Sequence, residues 1–155
     1  TQNSIWTFMG CSFGWMYRLV VGPPQAPAGF PGTDAPFWDV LICPFHADNL
    51  HLDTIFCMVD QNEAIACIDL LDPDFLAAVK ARGISIISLP DSVASTLDCN
   101  ILSLGDRRIV ARMDGVVAPI LRGAGYEVSE VDISQFAACG GGIHCLTQPL
   151  RRVTQ

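Results

Sequence analysis

The chain has 155 residues, half of them hydrophobic and only 16% charged, with 16 acidic residues against 9 basic ones and a formal net charge of −7. That length suits one domain or a piece of a larger one, and the apolar content suffices for a core, which excludes a chain disordered throughout. The acidity and the scatter of the basic residues exclude a nucleic-acid footprint, and no apolar run approaches the roughly 20 residues of a bilayer span, so neither nucleic acid nor membrane is an expected partner.

Residue 1 is Thr, and residues 1–10 lack the basic and apolar regions of a secretory signal, which reads as a processed, trimmed or partial start. The 7 cysteines are an odd number without a CxxC pair, and several sit in apolar runs. They read as reduced thiols of a cytoplasmic protein, not as a disulfide framework or a zinc site.

Residues 1–44 form an N-terminal segment rich in Gly, Pro and aromatics. Within it, Ile5 to Val21 has the apolar mass of a strand or short helix without a clean period, and Gly22 to Gly32, crowded with prolines, reads as a loop. Beyond His51 the pattern becomes regular. Thr54 to Val59 and Ala64 to Ile68 read as two strands joined by the turn Asp60-Gln61-Asn62-Glu63. Asp72-Pro73 is an N-cap with Pro at the first helical position, and Phe75, Leu76 and Val79 mark the buried stripe of a helix ending near Gly83. Ile84 to Leu89 is the strand that follows.

The same order returns with Cys99 to Ser103 as a strand, a turn at Leu104-Gly105-Asp106, and a second strand from Arg108 to Met113. Asp114 then caps a helix through Val117, Ile120 and Leu121, and Gly125 leads into the strand Tyr126 to Ile133. The helix-ending glycines Gly83 and Gly125 lie 42 residues apart, a period that signals a supersecondary repeat. A third unit starts near Ile143 on this reading. The same strand and helix order also fits an ordinary α+β domain.

Two places carry candidate chemistry. Gly140-Gly141-Gly142 frees the backbone to approach a ligand and leads into Cys145 at the start of an expected strand, where the thiol is either a nucleophile or a buried structural cysteine. In His51-Leu52-Asp53 the one-residue gap places both polar side chains on one face of an extended strand. A proton-shuttling imidazole beside a carboxylate suits a cationic substrate, while the plainer reading is a solvated strand edge. His46 and Asp48 repeat the spacing, but a metal set of His46, Asp48, His51 and Asp53 lacks a motif such as HExxH, so no metal is expected. His144 is expected to point away from Cys145 on the strand and to be structural, and Asp98 and Asn100 read as turn chemistry.

With both places in view, the sequence resembles the guanidino-modifying enzymes of the pentein superfamily: arginine deiminases, agmatine deiminases and amidinotransferases. His51-Leu52-Asp53-Thr54-Ile55-Phe56-Cys57-Met58-Val59-Asp60 resembles their segment with the active-site His and a guanidinium-binding Asp. Gly140 to Cys145, continuing to Arg151-Arg152, resembles the segment with the nucleophilic Cys. Asn100 to Val110 resembles the strand pair between them, and the two motifs stand in the right order, 94 residues apart.

The resemblance implies an α+β fold of ββαβ modules arranged as an α/β-propeller, here an incomplete ring of two to three modules, with residues 45–155 as the C-terminal part of the catalytic domain. It implies Cys145 and His51 as catalytic residues, Asp53 as the substrate-binding carboxylate, and no metal or organic cofactor. The implied reaction is hydrolysis of the guanidinium group of arginine or a related small molecule through a covalent thiouronium on Cys145. The alternatives are amidino transfer to an amine, or an inactive half-domain acting as an oligomerisation module. Arg151 and Arg152 are either binders of a substrate carboxylate or solvated surface residues. The family's remaining acidic residues come from an N-terminal half that nothing before His51 matches, and Glu63, Glu127 and Glu130 stand in the wrong places. A homo-oligomer or a missing N-terminal half is therefore the expected complement.

Overall fold

The computed structural model describes residues 4–8, 17–22, 39–46, 48–49 and 51–147. Strands β1 (Ser4–Phe8), β2 (Tyr17–Gly22) and β3 (Asp39–Cys43) form an antiparallel sheet in the order β1-β2-β3, so the described residues of Ile5 to Val21 are strands. The proline-rich loop expected between Gly22 and Gly32 lies, apart from Gly22, outside the described residues. Leu41 and Cys43 of β3 are buried in the same apolar core as the two modules that follow.

The first module is β4 (Phe56–Asp60), β5 (Glu63–Ala66), α1 (Pro73–Ala81) and β6 (Ser85–Ser88). Its sheet runs β4-β5-β6, antiparallel then parallel, with the helix as the crossover that a parallel pair requires. Asp72 caps α1 as expected: its Oδ1 accepts from the backbone N–H of Asp74 and of Phe75, each at 3.0 Å. Phe75, Leu76 and Val79 are the buried stripe, and Phe75 meets Phe56 of β4 edge to face with ring centroids 5.3 Å apart. Gly83, at φ +75°, stops the helix in a conformation that suits glycine.

A short helix α2 (Ser92–Thr96) leads to the second module: β7 (Leu102–Gly105), β8 (Arg108–Arg112), α3 (Val117–Gly123) and β9 (Glu127–Val131). Its sheet repeats the first, β7-β8-β9, antiparallel then parallel. Even the bulges correspond, with the register shifting after Met58 in one hairpin and after Ser103 in the other. These bulges are 45 residues apart while Gly83 and Gly125 are 42 apart, because α1 with 9 residues is longer than α3 with 7 and the approach to it from the start of β5 is one residue longer. The ββαβ modules expected from the sequence are observed, two of them among the described residues.

Three local expectations are corrected. The strand expected from Cys99 begins at Leu102, leaving Cys99 and Asn100 in the approach to it. Asp114 does not cap α3: it sits at φ +59° in the preceding turn, and the cap comes from Asp98 instead. The third unit expected from Ile143 does not open on a strand there: 143–146 is a turn, and a short helix α4 (Ser134–Ala137) is the last regular element among the described residues.

The modules meet along their first strands. Ser103 Oγ of β7 donates to the Val59 carbonyl of β4 at 2.7 Å, and the Cys57 thiol faces the Ile101 carbonyl at 3.7 Å. A second tie lies at the hairpin turns. The Tyr126 hydroxyl donates to Glu63 Oε2 of the first module at 2.5 Å, and Arg107 stacks on the Tyr126 ring, 4.2 Å from its centroid. Because β4 and β7 lie side by side, the segments immediately before them are brought together.

Candidate active site

Those segments, with the turn after α4, build one site. Leu52–Thr54 is a single 3₁₀ turn, closed by Thr54 Oγ1 donating to the His51 carbonyl at 2.6 Å and by Ile55 N–H donating to Leu52 O at 3.0 Å. His51 and Asp53 therefore do not share a face of a strand, as the spacing suggested. His51 is extended (φ −143°, ψ 156°) ahead of the turn, while Asp53 is within it and only 1% exposed. They still converge, because the turn swings Asp53 toward the same side.

Cys145 also lies in a turn and not on a strand. Leu146 N–H donates to Gly142 O at 3.1 Å and Thr147 N–H to His144 O at 3.2 Å, which coils the segment back on itself. In that turn His144 does not point away from the site. Its Nδ1 lies 2.9 Å from Asp53 Oδ2, and Cys145 Sγ lies 3.9 Å from the same oxygen. One ligand atom each of His51, Asp53 and Cys145 lies within 4.8 Å of the others. All three site residues chosen from the sequence meet in space, and a nitrogen, an oxygen and a sulfur at that spacing have the donor chemistry of a metal site as well. The metal set considered from the sequence is not assembled, since His46 Nδ1 pairs with Asp48 Oδ2 at 3.0 Å on the exposed surface. Arg151 and Arg152 lie outside the described residues.

Asn100 holds this arrangement. It is 1% exposed; its backbone carbonyl accepts from His144 N–H at 3.3 Å and its Oδ1 from Cys145 N–H at 3.2 Å. The glycine run serves this packing. A Cβ on Gly142 would stand 2.2 Å from Asn100 Oδ1, so glycine is needed there to admit the amide and not to cradle a ligand. Asp98, two residues earlier and buried, accepts from Val116 N–H at 2.6 Å and Val117 N–H at 3.2 Å, supplying the cap of α3. Neither residue is mere turn chemistry. A signal for both was present: Asp98 and Asn100 stand just ahead of the first strand of the second module, as His51 and Asp53 stand just ahead of that of the first.

Three of the other buried thiols are poor nucleophiles. Burial pushes the Cys43 thiol up to about 12 and the Cys67 thiol up to about 11, and holds Cys99 well above its ordinary value, so all three stay protonated near neutrality. Cys139 is exposed, whereas Cys145 is half-buried against Asp53.

Paired ββαβ modules, with a cysteine, a histidine and a carboxylate meeting beside their seam, fit the pentein-type fold expected from the sequence. The family model for N,N dimethylarginine dimethylhydrolase, eukaryotic, matches residues 37–152, and the chain belongs to that family. The uncharacterized protein YkgA of Bacillus subtilis (strain 168) is 30% identical over 118 residues, which are 76% of this chain and 41% of that protein. The L-arginine:L-lysine amidinotransferase of Pseudomonas savastanoi pv. phaseolicola is 36% identical over 70 residues, 41% of this chain and 19% of that enzyme. Among solved structures, the substrate-bound N-terminal domain of ArgZ, an arginine dihydrolase from the ornithine-ammonia cycle in cyanobacteria, superposes with a TM-score of 0.59 at 22% identity, over 68% of this chain and 40% of that one. The chain thus spans about two fifths of YkgA. Among the described residues no helix is long and apolar enough to cross a membrane.

Proposed function

We propose that the chain carries the nucleophile-bearing part of a site that hydrolyses a guanidinium C–N bond, with residues 45–155 as the C-terminal part of the catalytic domain. The observation that carries this reading is the meeting of His51, Asp53 and Cys145 within 4.8 Å, from segments 94 residues apart in a chain of this family. Asp53 is the guanidinium holder: its Oδ1 is buried and has no hydrogen-bond partner among the described residues, a costly state for a carboxylate that an incoming N–H relieves. The Cys145 thiolate attacks the guanidinium carbon, forming a C–S bond. The C–N bond to the leaving amine then breaks as His51 gives it a proton. Water, losing a proton to His51, adds to the same carbon, and the C–S bond breaks to release a ureido product and the thiolate.

Amidino transfer shares every step up to the thiouronium, with an amine in place of the water. The 36% identity to an amidinotransferase keeps it as the second reading. Glu63 is engaged by Tyr126 and Glu130 by Arg122, so a further acidic residue for this site is to come from another segment or a second copy of the chain. The test is a colorimetric assay for ureido product from a panel of guanidino compounds, run on the protein and its Cys145→Ala variant side by side. Cysteine-dependent product is the expected result. No product from any guanidine, with or without an added amine acceptor, overturns the reading for this chain.

A further inference from the structure

We propose that His144 is a positioning residue that holds Asp53 by one oxygen, so that the carboxylate meets its substrate through the other. The inference rests on Asp53 as the guanidinium holder and adds a residue that the sequence reading had set aside. The two carboxylate oxygens of Asp53 stand in different surroundings. Oδ2 faces His144 Nδ1 at 2.9 Å and Cys145 Sγ at 3.9 Å, whereas Oδ1 is buried without a hydrogen-bond partner among the described residues.

His144 is anchored well enough to impose this asymmetry. Its backbone N–H donates to the Asn100 carbonyl at 3.3 Å, and its own carbonyl accepts from Thr147 N–H at 3.2 Å and from Thr147 Oγ1 at 3.1 Å. A carboxylate left to itself turns about its terminal torsion, which is broad and roughly two-fold. A donor fixed on one oxygen stops that rotation. In this arrangement Nδ1 carries the proton and Oδ2 accepts it, so Oδ1 presents its lone pairs to a guanidinium N–H. The substrate is then gripped at one nitrogen, and the nitrogen that departs is left toward His51. Because Cys145 follows His144 directly, the bond also fixes the nucleophile against the carbon it attacks, where a displacement of about 1 Å costs on the order of 10²-fold in rate.

The amide nitrogen of an asparagine and the imidazole Nδ1 both lie two bonds beyond Cβ, which supplies a discriminating pair of variants. His144→Leu removes the donor at similar bulk, and His144→Asn restores a donor at the same place without the imidazole ring. The expected result is a kcat lowered by a factor of about 10 or more in His144→Leu, recovered to within about threefold in His144→Asn, with KM moving less than kcat. Undiminished turnover in His144→Leu overturns the proposal. So does an asparagine variant as slow as the leucine one, which would make the ring a proton carrier. The second readout needs no turnover: nitrogen NMR of the resting protein is to show His144 protonated at Nδ1 in a hydrogen-bonded state that Asp53→Asn abolishes. If the protein turns over no guanidine, the hydrolase reading fails by itself, and this spectrum still decides the role of His144. Loss of the signal in Asp53→Asn upholds it, and a spectrum indifferent to Asp53 overturns it.

Discussion

Substituting alanine at each member of the glycine run separates packing from backbone freedom, because the three glycines sit in three different environments. At Gly142 a Cβ would lie 2.2 Å from Asn100 Oδ1, 2.5 Å from its Cγ and 2.6 Å from its Cβ. These approaches are about 1 Å inside the ~3.5 Å at which such atoms rest. Asn100 is 1% exposed and has little room to retreat. Overpacking of this kind costs about 1–3 kcal/mol, and each hydrogen bond lost from Asn100 to the His144 and Cys145 amides adds about 1 kcal/mol. Gly142→Ala is therefore expected to destabilise by roughly 2–4 kcal/mol and, by moving Cys145, to slow turnover on the order of 10²-fold. Gly141→Ala meets nothing closer than the Phe136 carbonyl at 3.6 Å and is expected to be nearly silent. Gly140, at φ +84° with open space around it, is expected to cost about 1 kcal/mol of stability through backbone strain alone and to leave turnover near normal. Urea unfolding midpoints and turnover of the best guanidine substrate measure both effects. A Gly142→Ala protein indistinguishable from Gly141→Ala in both would refute the packing account.

Asp98→Ala strips the Val116 and Val117 N–H groups of their buried acceptor and is expected to cost about 2 kcal/mol, more than Asp98→Asn, which keeps an acceptor; equal urea midpoints for native and alanine proteins would contradict this. Cys145→Ala is expected to abolish ureido product while leaving the unfolding midpoint nearly unchanged, since the side chain is half-buried in a site and not packed in the core. Stability is also expected to fall as pH rises above about 9. Cys43 and Cys67 keep their protons in the folded chain up to about 12 and about 11, whereas the unfolded thiols lose theirs from about 9, so the unfolded state binds fewer protons throughout that window. A urea midpoint flat between pH 8.5 and 11 would contradict the buried, protonated thiols, with the thiolate absorbance followed in parallel.

The modules were legible in the sequence because their signals are local. Asp72 reaches amides two and three residues ahead, Pro73 and Gly83 bracket one helix, and the apolar runs Cys57 to Val59 and Ala64 to Ala66 are visible without a distant partner. What escaped was long-range. The cap of α3 crosses 18 residues from Asp98, so the nearer Asp114 was the natural choice by propensity, yet Asp114 occupies a left-handed turn that Gly115 allows to pass close to Asp98. Likewise His144 and Cys145 were assigned to a strand, where neighbours face opposite ways. The turn that reverses this forms on Asn100, 45 residues upstream.

These misses share one physical cause, and it shows how the fold makes its site. Where two ββαβ modules pair through β4 and β7, the residues just ahead of those strands are buried at the seam before any ladder hydrogen bonds can satisfy them. Polar side chains there must bond across segments. His51-Leu52-Asp53 supplies an imidazole and a carboxylate, Asp98-Cys99-Asn100, also just ahead of a first strand, caps α3 and holds the His144-Cys145 turn, and that turn closes onto both. A repeat thus brings two such stretches to one seam, and their side chains divide the work: Asp98 and Asn100 hold backbone amides, while His51 and Asp53 converge with Cys145.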